Sequence, residues 1–318
     1  MSVLFSLKIS EKDQEKLKAN YPTLKFTFCD NMDEAQKHIE EAEVIVTYGS
    51  DLTDTLVEHA KKLKWVNVLS AGLDQLPFDA LEKKGVLVTN VRGIHKVPMA
   101  EYAISMLLQV YRDEKTLMEK EKEHVWARDK KQKPLEITEK TMLIAGTGAI
   151  GQEVARLAKA FRMKTIGVSR SGRAVNHFDE NVTTDKMKAY LPEADFVISV
   201  LPSTKETQYL YTFDLFKAMK ESAIFLNMGR GDAVESDVII KAIKEKEIAH
   251  AVLDVFETEP LPEDHPLWAE EKVTITPHLS GISPNYLPRA LDILERNLDV
   301  FVKGEDDYVN QIDTSLGY

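Results

Sequence analysis

Short runs of β-branched and aromatic residues alternate with charged, helix-periodic segments along almost the whole chain. In the first hundred residues VLFSLKI, LKFTFC, EVIVTYG, WVNVLSAG and GVLVTNV read as strands. Between them EKDQEKLKANY, MDEAQKHIEEA and LTDTLVEHAKKLK carry helical spacing with a charged face. A helical crossover returns the chain to the end of the sheet from which the next strand starts, so successive strands run parallel. A parallel sheet must then be covered by helices on both faces.

The pattern repeats in a second series: TMLIAGTGAIG, KTIGVS, FVISVLP, AIFLNMG, IAHAVLDV and VTITPHLSG. Between the two series a long helix is expected from about Pro98 to about His124, with Pro98 suited to its first turn. Its early half, MAEYAISMLLQVY, is apolar nearly all the way round, which implies burial on more than one side. Such a helix fits between domains or between subunits, and a core helix of one chain has the same pattern. The last helical segment, LPRALDILERNLDVFVKG, is expected to cross back onto the first half. The fold class is therefore α/β with two open parallel sheets.

The 318 residues are enough for roughly two cores. With 41 basic and 52 acidic residues the formal charge is 41 − 52 = −11, which disfavours a phosphate backbone as partner. Cys29 is the only cysteine, so an intramolecular disulfide and Cys/His zinc spacing are excluded, and no metal site is expected. The start, MSVLFSLKISEKDQEK, turns charged too early for a secretion signal, and no stretch approaches the ~18 apolar residues of a membrane span. A cytoplasmic protein without membrane association is the expectation.

Gly146-Thr147-Gly148-Ala149-Ile150-Gly151 fits G-x-G-x-x-G between a strand, TMLIA, and a helix, EVARLAKAF. The first glycine would allow the sharp turn, the second a close approach to pyrophosphate, and the third tight helix–strand packing. Free N–H groups at the helix start would face the anion. About twenty residues on, where an acid would grip the ribose hydroxyls, the chain has Ser169-Arg170-Ser171. A guanidinium pairs with a 2′-phosphate and the hydroxyls donate to it, with Arg173 near enough to help. The expected cofactor is NADP(H), with NAD(H) held by other contacts as the alternative.

Three later segments carry chemistry. Arg230 follows the apolar run AIFLN, Asp254 and Glu259 follow AHAVL, and His278 follows VTITP. Ligand-binding groups gather beyond the carboxyl ends of such strands. An arginine can clamp the carboxylate and ketone oxygens of a 2-keto acid. A histidine can give a proton to the forming alkoxide, and Glu259 on its other nitrogen would orient the ring and favour its charged form. Both cations stabilise charge that grows as hydride arrives. His95, His124, His177, His250 and His265 lack such a setting.

From Val68 to about Gly304 the chain resembles the D-isomer-specific 2-hydroxyacid dehydrogenase family, through VLSAGLDQL, NVRGIHKVPMAEYAISMLL, AGTGAIG, FVISVLPSTKETQYL, FLNMGRGDAVE, LDVFETEPLP and TPHLSG. The resemblance implies a Rossmann-like cofactor domain, 98–287, inserted into a flavodoxin-like substrate domain, 1–97 plus 288–318, and a homodimer. It implies that Arg230 binds substrate, Glu259 supports, and His278 is the acid/base. It further implies that Asp254 contacts the nicotinamide amide, that Leu201 and Pro202 line the adenosine side, and that the backbone of Ala71-Gly72-Leu73 meets the substrate carboxylate. Ser169-Arg170-Ser171 is similar to the NADPH-using glyoxylate/hydroxypyruvate reductase branch, whereas LSGISPNYLP after the histidine departs from the common members. The expected activity is NADPH-dependent reduction of a small 2-keto acid such as glyoxylate or hydroxypyruvate. The alternatives are a non-catalytic dinucleotide sensor of the same fold and formate or phosphite dehydrogenase chemistry.

Overall fold

A computed structural model describes residues 1–70, 73, 75–128 and 134–314. The chain divides into two compact units, Met1–Ile94 with Pro284–Tyr318, and His95–Ser283. The crossings fall a few residues before the expected 97/98 and 287/288. His95 Nδ1 lies 3.2 Å from the Gly281 carbonyl oxygen, which ties the first residue of the second unit to its last turn. Among the described residues no helix is long and apolar enough to cross a membrane.

The first unit holds β1 (Ser2–Phe5), β2 (Lys25–Phe28), β3 (Val44–Thr47), β4 (Trp65–Val68) and β5 (Leu87–Asn90), all parallel, in the order β2-β1-β3-β4-β5. This is the flavodoxin-like order. Every residue of β3 and β4 is buried, because both are inner strands covered on two faces. Side chains alternate between two cores. Val3, Phe5 and Trp65 pack with Ala290, Leu291, Leu294 and Leu298 of the helix Tyr286–Lys303, while Leu4, Ile45 and Val66 pack with Val57 and Leu81 on the other face. The final helix does return to the first half of the chain.

The second unit holds β6 (Thr141–Ala145), β7 (Lys164–Ser169), β8 (Glu180–Thr183), β9 (Phe196–Ser199), β10 (Ile224–Asn227), β11 (His250–Leu253) and β12 (Val273–Ile275). Its parallel order is β12-β11-β10-β9-β6-β7-β8, so winding reverses between β6 and β9 as in a Rossmann sheet with one added strand. The strand β8 has no counterpart in the sequence reading. ENVT is a polar edge strand that pairs with β7 alone, and Val182 is its one buried residue, so no apolar run announces it.

The expected helix from Pro98 to His124 is two helices, Lys96–Tyr111 and Glu114–Lys122. The chain turns at Asp113, with φ 54°, a conformation that aspartate tolerates better than most residues. Burial explains the place: Ala100, Ala103, Leu107 and Tyr111 are in the core, whereas the second helix buries none of its residues. The first helix packs with Val154, Ala155 and Ala158 of the helix Ala149–Ala160. One apolar face is thus occupied within its own unit.

Candidate active site

The glycine turn joins β6 to the helix Ala149–Ala160, and its three glycines answer to different constraints. Gly146 has φ +104°, and a Cβ there would lie 2.7 Å from the Val200 carbonyl oxygen. At Gly151 a Cβ would fall 1.9 Å from the Gly146 carbonyl oxygen, so only glycine lets the helix sit this close to the strand. Gly148 is different. Its φ of −75° suits any residue, and among the described residues no atom beyond its own chain neighbours is recorded within 4 Å of a Cβ built on it. Neither backbone nor packing requires a glycine there, and the remaining reason for one is the approach of a ligand. Among the described residues no side chain caps this helix, so its first-turn N–H groups are available to an anion. These features fit a dinucleotide.

Ser169 ends β7, and its hydroxyl accepts from Gly172 N at 3.2 Å, while Ser171 accepts from Arg173 N at 3.4 Å. The two serines shape a turn that leaves Arg170 exposed. Arg170 makes no hydrogen bond or ion pair among the described residues, although its charge helps hold the exposed Glu206 carboxyl below its usual range after bonds from Glu206 N–H and Thr204. Its guanidinium is therefore available to an anionic group.

Arg230 follows β10 between two tightly packed glycines. A Cβ on Gly229 would meet the Leu201 carbonyl oxygen at 2.6 Å, and one on Gly231 would meet the Phe256 carbonyl carbon at 1.9 Å. The loop is pressed between the ends of β9 and β11, and larger flanking residues would push it out. Asn227, fully buried at the end of β10, donates to the Arg230 carbonyl at 2.9 Å and accepts from Gly229 N at 3.2 Å. The backbone is thus fixed on both sides, while among the described residues the Arg230 side chain itself is anchored only by Nη1 donating to Gly229 O at 2.9 Å.

The same strand ends hold Glu259 and His278. Glu259 Oε1 accepts from Phe256 N at 3.0 Å, and Oε2 lies 2.7 Å from His278 Nδ1. A carboxylate accepts, so Nδ1 carries the proton in this pair, which leaves Nε2 of the half-exposed ring for other partners. His278 has φ 49°, a left-handed conformation that costs a residue with a Cβ about 1–2 kcal/mol. Asp254, with no exposed surface, holds it there. Its carboxylate accepts from Thr276 Oγ1 at 2.6 Å, Leu279 N at 3.0 Å and Ser280 N at 3.0 Å. The Asp254 carbonyl accepts from His278 N at 2.8 Å. Bonds to a charged group contribute ~1.5–3 kcal/mol each, so together they exceed the cost of the turn.

One structural unit thus brings together the glycine turn, Ser169-Arg170-Ser171, Leu201, Pro202, Arg230, Asp254, Glu259 and His278. In this structure the Asp254 carboxylate serves the histidine segment, and three of its four or so lone pairs are already used. Leu73 is buried in the other unit, and Ala71 and Gly72 lie outside the described residues. Asn227 and Thr276 were not singled out from the sequence. A polar residue closing an otherwise apolar strand, two or three positions before Arg230 or His278, was the available signal. Among the described residues no group of three or more His, Cys, Asp or Glu side chains is placed to hold a metal ion.

A family model described as "D-isomer specific 2-hydroxyacid dehydrogenase, NAD binding domain" matches residues 104–280, more than half of the chain. The chain belongs to the D-isomer specific 2-hydroxyacid dehydrogenase family. It is 32% identical over 278 residues to the glyoxylate reductase of Pyrococcus furiosus, covering 84% of this chain and 81% of that one. A crystal structure of a D-isomer specific 2-hydroxyacid dehydrogenase family protein from Aeromonas salmonicida is 36% identical. It superposes with a TM-score of 0.84 and covers 98% of this chain and 99% of its own. An NADPH-dependent glyoxylate/hydroxypyruvate reductase from Sinorhizobium meliloti, solved with NADP and sulfate, is 25% identical with a TM-score of 0.77, covering 100% of this chain and 99% of that chain. As a member of this dehydrogenase family the chain is an NAD(P)-dependent oxidoreductase of the 2-keto acid/2-hydroxy acid class.

The glycine turn makes a separable prediction. Gly148→Ala leaves the denaturant midpoint within error of wild type and weakens dinucleotide binding at least about tenfold, because the new methyl occupies ligand space. Gly151→Ala lowers the midpoint instead, since its Cβ meets backbone. Unchanged dinucleotide affinity in Gly148→Ala, read by fluorescence titration, would contradict this assignment.

Proposed function

We propose that the chain reduces a small 2-keto acid of the glyoxylate or hydroxypyruvate type to the D-2-hydroxy acid, with NADPH preferred over NADH and His278 as the acid/base. The observation that carries the reading is the 2.7 Å Glu259–His278 pair, set on strand ends in the same unit as the Arg230 loop and the glycine turn. Bound nicotinamide dinucleotide supplies the hydride. Arg230 holds the substrate carboxylate and polarises the ketone oxygen by charge-assisted bonds. As negative charge builds on that oxygen, His278 donates its Nε2 proton, and Glu259 stabilises the ring while it carries both protons. In the oxidation direction the neutral ring accepts the proton from the same atom. A dinucleotide sensor would need no proton donor, and the intact pair argues for turnover.

Preference for NADPH rests on the exposed Arg170, which makes no hydrogen bond or ion pair among the described residues, between two hydroxyls that also fit a phosphate. A homodimer is part of the same reading. Leu117, Met118, Val125 and Trp126 are 41%, 55%, 49% and 89% exposed, more apolar surface than a solvated helix end needs.

Arg230→Ala is expected to lower kcat/KM for glyoxylate and hydroxypyruvate by about a hundredfold or more, through loss of two charge-assisted bonds of ~1.5–3 kcal/mol each. Steady-state kinetics at wild-type level would rule out its role. Dinucleotide binding without turnover on any member of a 2-keto acid panel would favour the sensor. Arg170→Ala should weaken NADPH by ~1.5–3 kcal/mol and leave NADH nearly untouched, and equal losses for both would remove the phosphate-binding role. Sedimentation analysis should return the mass of two chains. The mass of one chain at assay concentration would exclude the dimer.

A further inference from the structure

Tyr102 lies on the helix Lys96–Tyr111, 8% exposed, and belongs to the core cluster that also holds Ala155 and Ala158. Its hydroxyl is 2.7 Å from Thr276 Oγ1, and distance alone leaves the donor open. The neighbouring bond decides it. Thr276 has one hydroxyl proton, and that proton is engaged by Asp254 Oδ1 at 2.6 Å. Thr276 can only accept from Tyr102, so the order is Tyr102 to Thr276 to Asp254. Burial, with a smaller push from the Asp254 charge and against the pull of the Thr276 bond, holds the phenol well above its ordinary range, and a protonated phenol can donate.

The far end of this chain is the segment that carries His278. Asp254 accepts from Leu279 N and Ser280 N on one side of His278 and from Thr276 on the other. Donation into Thr276 polarises its O–H and strengthens the bond to the carboxylate. It also selects one Thr276 rotamer, since the other staggered positions would leave the buried phenol without an acceptor. Tyr102 is fixed by its packing in the core, and Thr276 is two residues from His278.

We propose that Tyr102 is a positioning residue for His278, acting through Thr276 and Asp254 to hold the left-handed turn at the histidine. The proposal rests on the reading of His278 as acid/base, and it adds a residue that touches neither substrate nor dinucleotide in that mechanism.

Tyr102→Phe keeps the ring and removes the hydroxyl. With NADPH and hydroxypyruvate, kcat should fall roughly five- to thirtyfold, the effect of one hydrogen bond in a buried network, while KM and the NADPH dissociation constant stay within about twofold. Thr276→Val should show the same split. The double variant should be no slower than Thr276→Val alone, because both changes break one chain. A structural defect would instead lower the thermal midpoint and multiply through the cycle. Wild-type kcat in Tyr102→Phe, or effects that multiply in the double variant, would overturn the proposal. His278→Gln measured alongside separates the two levels. An inactive His278→Gln with an unchanged Tyr102→Phe overturns only the role of Tyr102. An active His278→Gln overturns the acid/base reading and the role of Tyr102 with it.

Discussion

Asp254 has no exposed surface, yet its carboxylate and carbonyl together take four hydrogen bonds, all from residues 276 to 280. Moving a carboxylate out of water costs several kcal/mol, and that cost is met only where donors of good geometry surround it. Here the donors are the Thr276 hydroxyl and backbone N–H groups of the segment that must carry a histidine at positive φ. The burial of one acid and the strain at one histidine are therefore a single arrangement. Either alone would be unfavourable, and together they fix an imidazole against Glu259.

The rest of the second unit supplies the frame for that arrangement. Parallel strands joined by helices place every strand's carboxyl end on one side, so β9, β10, β11 and β12 deliver Leu201, Arg230, Asp254 and His278 from the same edge of the sheet. Short loops then refine the placement. Gly229 and Gly231 let the Arg230 backbone lie against neighbouring main chain, and Asn227 closes it from below. The glycine turn sits at the reversal of strand order between β6 and β9, where a doubly wound sheet leaves its crevice.

Much of this was legible from residue types and spacing. Inner strands are buried on both faces, so VIVT, FVIS and IFLN stand out as apolar runs closed by one buried polar residue. The edge strand ENVT buries one side chain and stayed hidden. The break at Asp113 was hidden too, because helical periodicity continues in charged residues after burial has ended at Tyr111. At the site, Arg230, Glu259 and His278 were visible because their chemistry is distinctive. Asn227, Thr276 and Tyr102 act through hydrogen bonds between residues as far as 174 positions apart, which no local pattern records.

Asp254 holds the histidine to which the proposed function gives the proton transfer. Asp254→Asn preserves volume but turns an amide N–H toward backbone N–H donors. Its kcat for hydroxypyruvate reduction at saturating NADPH is the most direct readout. The account predicts a fall of roughly a hundredfold or more, the scale of losing a positioned general acid. A wild-type kcat in that variant, with the protein folded and nucleotide bound, would contradict it.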